Sequence, residues 1–123
     1  NNLLNYGYAI LRALVARSLA GSGLLPTRGI FHRDRYNAYA LADDIMEPYR
    51  PVVDALVVRL VNEHGVPEEL DMRHKGELLK IPVLDVLQEG RKSPLMAAVN
   101  RTTASLAKCF RGEQRRLTYA SLP

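Results

Sequence analysis

A single cysteine, Cys109, stands in the 123 residues, so no internal disulfide can form, and the paired CxxC spacing that holds structural zinc is missing. A reducing cytoplasm is the expected compartment. No apolar run reaches the roughly 20 residues that a bilayer-spanning helix needs, because Arg12 and Arg17 interrupt the most apolar stretch. The expectation is a soluble protein with no membrane role. The opening Asn1-Asn2-Leu3-Leu4 has no initiator Met, no charged leader region and no cleavage pattern, and it already reads as helix. A chain cut from something longer is expected. Internal repeats and low-complexity tracts are lacking as well.

What is present fits one domain, long enough to bury roughly two thirds of the surface its unfolded chain exposes. The net charge is +4, from 17 Lys and Arg against 13 Asp and Glu. Most of the cations are arginines, whose planar fork suits phosphate oxygens. That balance favours an anionic partner only mildly.

Leu3, Leu4, Gly7, Ile10, Leu11, Leu14, Val15 and Leu19 recur every three or four residues, which predicts an amphipathic helix over 2–20, closed by Gly21-Ser22-Gly23. Residues 23–36 lack a period and carry Pro26 and Gly29, so they read as a loop bearing His32. Helix resumes near Asn37 as N-cap. Pro48 and Pro51 remove the N–H groups that would serve the carbonyls of Asp44 and Glu47; either the helix kinks there, or it stops and another begins with Pro51 in its first turn. Val52 to Asn62 is predicted as a buried helix and the centre of the core. A short helix is expected over 71–81, while Val83 to Leu87 fits helix or strand equally. Ser93-Pro94 reads as a cap and first-turn pair for a helix that lines up Leu95, Val99, Thr103, Leu106 and Phe110 and ends at Gly112. The tail from Arg115 is expected to be irregular, with a brief strand at 117–119. The fold class is all-α: a bundle-like lobe of about four helices, with up to two very short strands near the C-terminus.

Asp44 and Glu47, three apart, fall on one helical face. Two hard oxygen donors with the His32 imidazole would suit Mn²⁺ well and Mg²⁺ acceptably, and such a site performs phosphoryl transfer. Arg28, Arg33 and Arg35, flanking His32, would hold a nucleic-acid backbone by its phosphates. The plainer reading of each residue alone is an exposed loop histidine and a solvated acid pair. Asp43, about 100° around the helix from Asp44, is expected to face solvent.

Other groups point less clearly to chemistry. His64 and His74 flank Glu68-Glu69-Asp71, but their spacing matches no metal-ligand pattern, so a surface loop is expected. Lys108, Arg111, Arg115 and Arg116 read either as helix C-terminal charges or as a DNA contact. Tyr6, Tyr8, Tyr36, Tyr39 and Tyr49 are able to stack on bases, but Tyr6 and Tyr8 lie within the first helical stripe and are expected to pack. Tyr36 and Tyr39, near the His32 loop, are better placed than these.

Three blocks, "LNYGYAIL", "GLLPTRGIFH" and "ALADDIMEPYRPVVD", in this order and at these separations, closely resemble the C-terminal helical catalytic lobe of the CRISPR-associated adaptation endonuclease and integrase family, Cas protein number one. The resemblance is strongest over residues 1–62. It implies that His32 and Glu47 bind a divalent metal, Mg²⁺ or Mn²⁺, together with a glutamate from an upstream helix, and that Asp44 is an accessory acid. His32, Asp44 and Glu47 would then be the catalytic set. It further implies a prokaryotic antiviral function in spacer acquisition: transesterification of protospacer DNA into the CRISPR repeat, by a homodimer working with Cas protein number two. No residue here matches the upstream glutamate, and the family's N-terminal β-rich dimerisation domain has no counterpart. The expectation is a fragment, one C-terminal helical catalytic domain over 1–123, weak or inactive by itself. The rival expectations are a helical DNA-binding module without catalysis and a protein-interaction module.

Overall fold

The computed structural model of the chain describes residues 2–24 and 35–123, the side chains of 35–39 excepted. Five α-helices and one hairpin follow in the order α1 (Asn2–Gly21), α2 (Arg35–Met46), α3 (Arg50–His64), α4 (Met72–Leu78), β1 (Asp85–Gln88), β2 (Arg91–Pro94) and α5 (Leu95–Phe110). The mostly helical expectation holds, with α4 a two-turn helix and both short strands in the C-terminal half.

The core is organised around α1, not around Val52 to Val61 as its apolar run suggested. The stripe Leu3, Gly7, Leu11, Leu14, Val15, Ser18 and Leu19 is buried, and α2, α3, α4 and α5 all pack on this one helix. Gly7 is why α3 approaches so closely: a Cβ there would stand 2.6 Å from Val53 Cγ1. On α3 itself Val52, Val53, Leu56, Val57 and Leu60 face inward while Val58 is exposed. Its apolar sequence therefore covers one side of the core, with an uncovered valine opposite.

Against α5 the contact is polar. Ser18 Oγ donates to Asn100 Oδ1 at 2.6 Å and lies 2.7 Å from Thr103 Oγ1, which also accepts from Ser22 Oγ at 3.0 Å. Buried hydroxyls satisfied in this way fix one axial register between two helices, which apolar contacts alone specify less sharply.

The segment 85–94 forms an antiparallel hairpin in which Asp85 pairs with Pro94 and Gln88 with Arg91. Its two-residue turn, Glu89-Gly90, has positive φ at both positions, 53° and 77°, matching the right-handed twist of the strands. Leu87 and Ser121 exchange backbone hydrogen bonds of 2.8 Å, adding one rung from the tail. Pro94 is therefore the last strand residue and the N-cap of α5, not its first turn. At the far end of α5, Phe110 is 66% exposed, so the inward side ends at Leu106 and Ala107, and after Gly112 the tail folds back, the Thr118 N–H donating to Ser105 Oγ at 2.9 Å.

Candidate functional site

The two prolines break the helix as their missing N–H groups require. α2 ends at Met46, Glu47–Tyr49 form one 3-10 turn, and α3 begins at Arg50 with Pro51 in its first turn. Glu47 does not lose every donor: the Arg50 N–H reaches its carbonyl through the tighter turn. Asn37, expected as a cap, lies inside α2, which starts at Arg35.

The turn is pinned from below by Tyr49, fully buried, whose hydroxyl lies 2.5 Å from Thr102 Oγ1 and accepts from the Ala120 N–H at 3.3 Å. Burial pushes the Tyr49 phenol up from its ordinary pKa, so it stays a neutral hydrogen-bonding group. Tyr49 is therefore no candidate for stacking on bases. Tyr6 and Tyr8 are half-buried against the core, as the α1 stripe predicted.

Above this pin Glu47 is exposed, its side chain 68% accessible. Arg50 Nε stands 2.9 Å from Glu47 Oε2, a charge contact outside hydrogen-bond geometry. The Arg50 guanidinium also lies 5.0 Å over the Tyr8 ring, and the Tyr8 hydroxyl donates to Asp54 Oδ1. That bond to Asp54, with burial, raises the Tyr8 pKa. A row of side chains from α1 and α3 thus leads up to the Glu47 carboxylate. The i,i+3 spacing of Glu47 and Arg50 was visible in the sequence; the Tyr8–Asp54 link, 46 residues apart, was not.

Asp44 is exposed, and its charge helps raise the Tyr119 pKa after burial and Tyr49. Asp43, expected to face solvent, instead pairs with Arg12 of α1 at 3.0 Å. Its neighbours Ala42 and Met46 are buried in the same packing surface, which turns Asp43 toward α1. His32, Arg28 and Arg33, and the Arg35, Tyr36 and Tyr39 side chains, lie outside the described residues. Among the described residues no three His, Cys, Asp or Glu side chains come close enough to share a metal ion. What the described part offers is two exposed hard-oxygen donors at the α2–α3 break.

The His64–His74 region departs from the surface-loop expectation. His74 is a core residue, 4% exposed, its Nδ1 2.6 Å from Asp71 Oδ1. His64 meets it edge to face, with ring centroids 6.1 Å apart. Asp71 also accepts the His74 backbone N–H at 2.8 Å as the N-cap of α4, and these two bonds lower the Asp71 pKa. The C-terminal basic cluster is partly engaged: Arg111 makes a forked contact with Glu113, both distances 3.1 Å.

Fold and surface together define a helical lobe that presents its acids on an exposed helix break. No helix among the described residues is long and apolar enough to cross a membrane. The family model described as "CRISPR associated protein Cas1" matches residues 1–86. The chain is 39% identical over 105 residues to the CRISPR-associated endonuclease Cas1 of Neisseria meningitidis serogroup C, covering 85% of this chain and 34% of that protein. It is 40% identical over 108 residues to the CRISPR-associated endonuclease Cas1 2 of Pyrobaculum aerophilum, covering 87% and 36%. With the CRISPR-associated endonuclease Cas1 1 of Francisella tularensis subsp. novicida the identity is 30% over 118 residues, covering 92% and 37%. The chain belongs to the Cas1 family, and it spans about a third of the length of these relatives.

Proposed function

We propose that the chain is the metal-binding helical lobe of a DNA endonuclease and integrase that inserts spacers during CRISPR adaptation. The observation that carries this reading is the position of Glu47, exposed on a 3-10 turn that two prolines create and Tyr49 pins, inside a chain of the Cas1 family. Its carboxylate is held from one side by Arg50 and is open on the other.

Glu47 and His32 are the proposed metal ligands, with Mg²⁺ or Mn²⁺ as the ion that oxygen and imidazole donors favour. When bound, such an ion neutralises charge on a phosphodiester and promotes ionisation of an attacking hydroxyl. Asp44, exposed one turn earlier, is the proposed accessory acid, taking a proton or a hydrogen bond at the reacting oxygen. Arg28, Arg33 and Arg35 hold the DNA backbone by its phosphates. The reaction is a direct exchange: the 3′-hydroxyl oxygen of the incoming fragment bonds to a phosphorus of the repeat, and the bond to the old 3′-oxygen breaks. DNA, both protospacer and repeat, is the proposed substrate; a second copy of the protein and Cas protein number two are the proposed partners.

Mn²⁺ titrated calorimetrically into the 123-residue chain, His32→Ala and Glu47→Gln tests this. Binding by the parent chain that both variants lose is expected. Heat unchanged in the variants would remove these residues from the site. No binding by any of the three would show that two ligands do not suffice, and the metal-site assignment for this chain would fall. DNA binding indifferent to a chelator, with no Mn²⁺ heat, would favour the non-catalytic DNA-binding module.

A further inference from the structure

A polar concavity lies between the hairpin and α5, with a volume of about 500 Å³ and walls of Gln88, Glu89, Arg91, Lys92, Ser93 and Arg101. Among the described residues none of its three cations has an acid within ion-pair distance, and Glu89 at the turn is the only opposing charge in its lining. We infer that this notch binds a phosphate group.

The geometry of Arg101 carries the inference. One nitrogen, Nη1, donates both to Gln88 Oε1 at 2.6 Å and to Ser93 Oγ at 3.1 Å. Nε and Nη2 have no protein partner among the described residues. Their N–H groups form the planar edge that two oxygens of a phosphate match. Because Nη1 is already anchored, the guanidinium is set in place before a ligand arrives, which lowers the ordering cost of binding.

The hairpin register supplies the remaining donors. Gln88 stands opposite Arg91, and Val86 opposite Ser93, so Gln88, Arg91 and Ser93 share one face of the two-stranded sheet. Ser93 Oγ accepts from Arg101 and keeps its own hydrogen to donate. Gln88, 6% exposed, turns its carbonyl oxygen to Arg101 and leaves Nε2 inside without a partner. Reversing that amide would set two donors against each other, so the guanidinium fixes the glutamine as well. Lys92, on the other face, adds charge at the rim.

The DNA backbone is the source of phosphate if the proposed function holds, and the inference leans on that reading for the source alone. Two titrations separate the cases, each in the presence of a chelator and on the full 123-residue chain. In the first, inorganic phosphate is added against chloride of equal ionic strength, and amide NMR shifts are followed. In the second, affinity for a duplex of about 20 base pairs is measured at several salt concentrations. The parent chain is compared with Arg91→Gln/Lys92→Gln, which touches only exposed and unpaired side chains, and with Arg101→Lys, which keeps the charge and loses the fork.

Phosphate-specific shifts at Arg91, Ser93 and Arg101 that both variants weaken are expected. The slope of log K against log salt should fall by about 0.9 for each DNA phosphate that the double variant no longer neutralises. Shifts without any change of slope would assign the notch to a free phosphate. Shifts no larger than those from chloride, together with an unchanged slope, would overturn the inference while leaving duplex binding by the parent chain, and its Mn²⁺ response, to stand or fall separately.

Discussion

Removing one hydroxyl, in Tyr49→Phe, should cost far more than a typical surface change, and the hydrogen bonds around it say how much. Thr102 has one hydroxyl hydrogen, and its closest carbonyl is Thr118 O at 2.5 Å. With that hydrogen spent, Tyr49 must be the donor in its 2.5 Å approach to Thr102 Oγ1, and its oxygen accepts from the Ala120 N–H. Phenylalanine fills the same space, so no cavity opens and the apolar packing of the ring is kept. What remains is a backbone N–H with no acceptor and a threonine oxygen without its donor, both in the interior. An orphaned buried polar group costs about 1–3 kcal/mol, so a destabilisation of about 2 kcal/mol is expected. At roughly 4 °C per kcal/mol for a chain of this size, the thermal midpoint drops by about 8 °C. Urea unfolding measures the free energy directly, and the m-value should not change. Thr102→Val in both backgrounds completes a double-mutant cycle, whose coupling should exceed about 0.5 kcal/mol because the two hydroxyls share one bond. A change below about 0.5 kcal/mol for Tyr49→Phe, with no coupling, would refute the account of this residue as the pin beneath the α2–α3 break.

Three further perturbations probe other parts of the molecule. Gly7→Ala places a methyl 2.6 Å from Val53 Cγ1; overpacking of about 1–3 kcal/mol should outweigh the roughly 0.5–1 kcal/mol gained by replacing a helical glycine, and in a Val53→Ala background the same change should turn neutral or stabilising by urea unfolding. Asp71→Asn keeps a capping side chain but removes the charge. The folded-state pKa of Asp71 is lowered, so its charge contributes stability above the ordinary aspartate pKa of about 3.9, lost as pH falls through the lower folded value. The gap in thermal midpoint between parent and variant should therefore be full near neutral pH and close in acid; a gap independent of pH would refute it. Asp43→Ala breaks the ion pair with Arg12, but both side chains are nearly half exposed. The destabilisation should stay under about 1 kcal/mol and fade in roughly 1 M salt.

The helices were legible wherever a long apolar stripe met a clear stop. α1 closes near Gly21, and the α2–α3 break sits where Pro48 and Pro51 withhold their N–H groups. The stripe of α1 gave its inward face correctly, but not its place at the centre, because centrality depends on how many partners converge on a helix. The hairpin was hidden for a local reason. Glu-Gly is a weaker turn signal than Asn-Gly or Asp-Gly, and such short strands leave too little room for alternation to show. Ser93-Pro94 then looked like a helix start, and it does precede one; its first duty is the last rung of β2. Phe110 failed because periodicity continues an inward stripe beyond the point where partner elements end.

At the site, the shared helical face expected for Asp44 and Glu47 meets a break, with Asp44 in α2 and Glu47 in the 3-10 turn, and Asp43 was misassigned because its partner, Arg12, is 31 residues away. The same blindness to distance concealed the surroundings of Glu47. Arg50 could be read from the i,i+3 spacing, but not the Tyr8 ring beneath it or the Asp54 carboxylate that fixes Tyr8. These interactions distinguish the break from a mere interruption of helix. A carboxylate at the end of a regular helix is as free as its rotamers allow. Here the backbone of Glu47 is fixed through Tyr49 to α5 and the tail, and its side chain meets Arg50, whose guanidinium lies over the Tyr8 ring of α1. The acid stays exposed while the turn that carries it is anchored by the buried Tyr49 and Thr102.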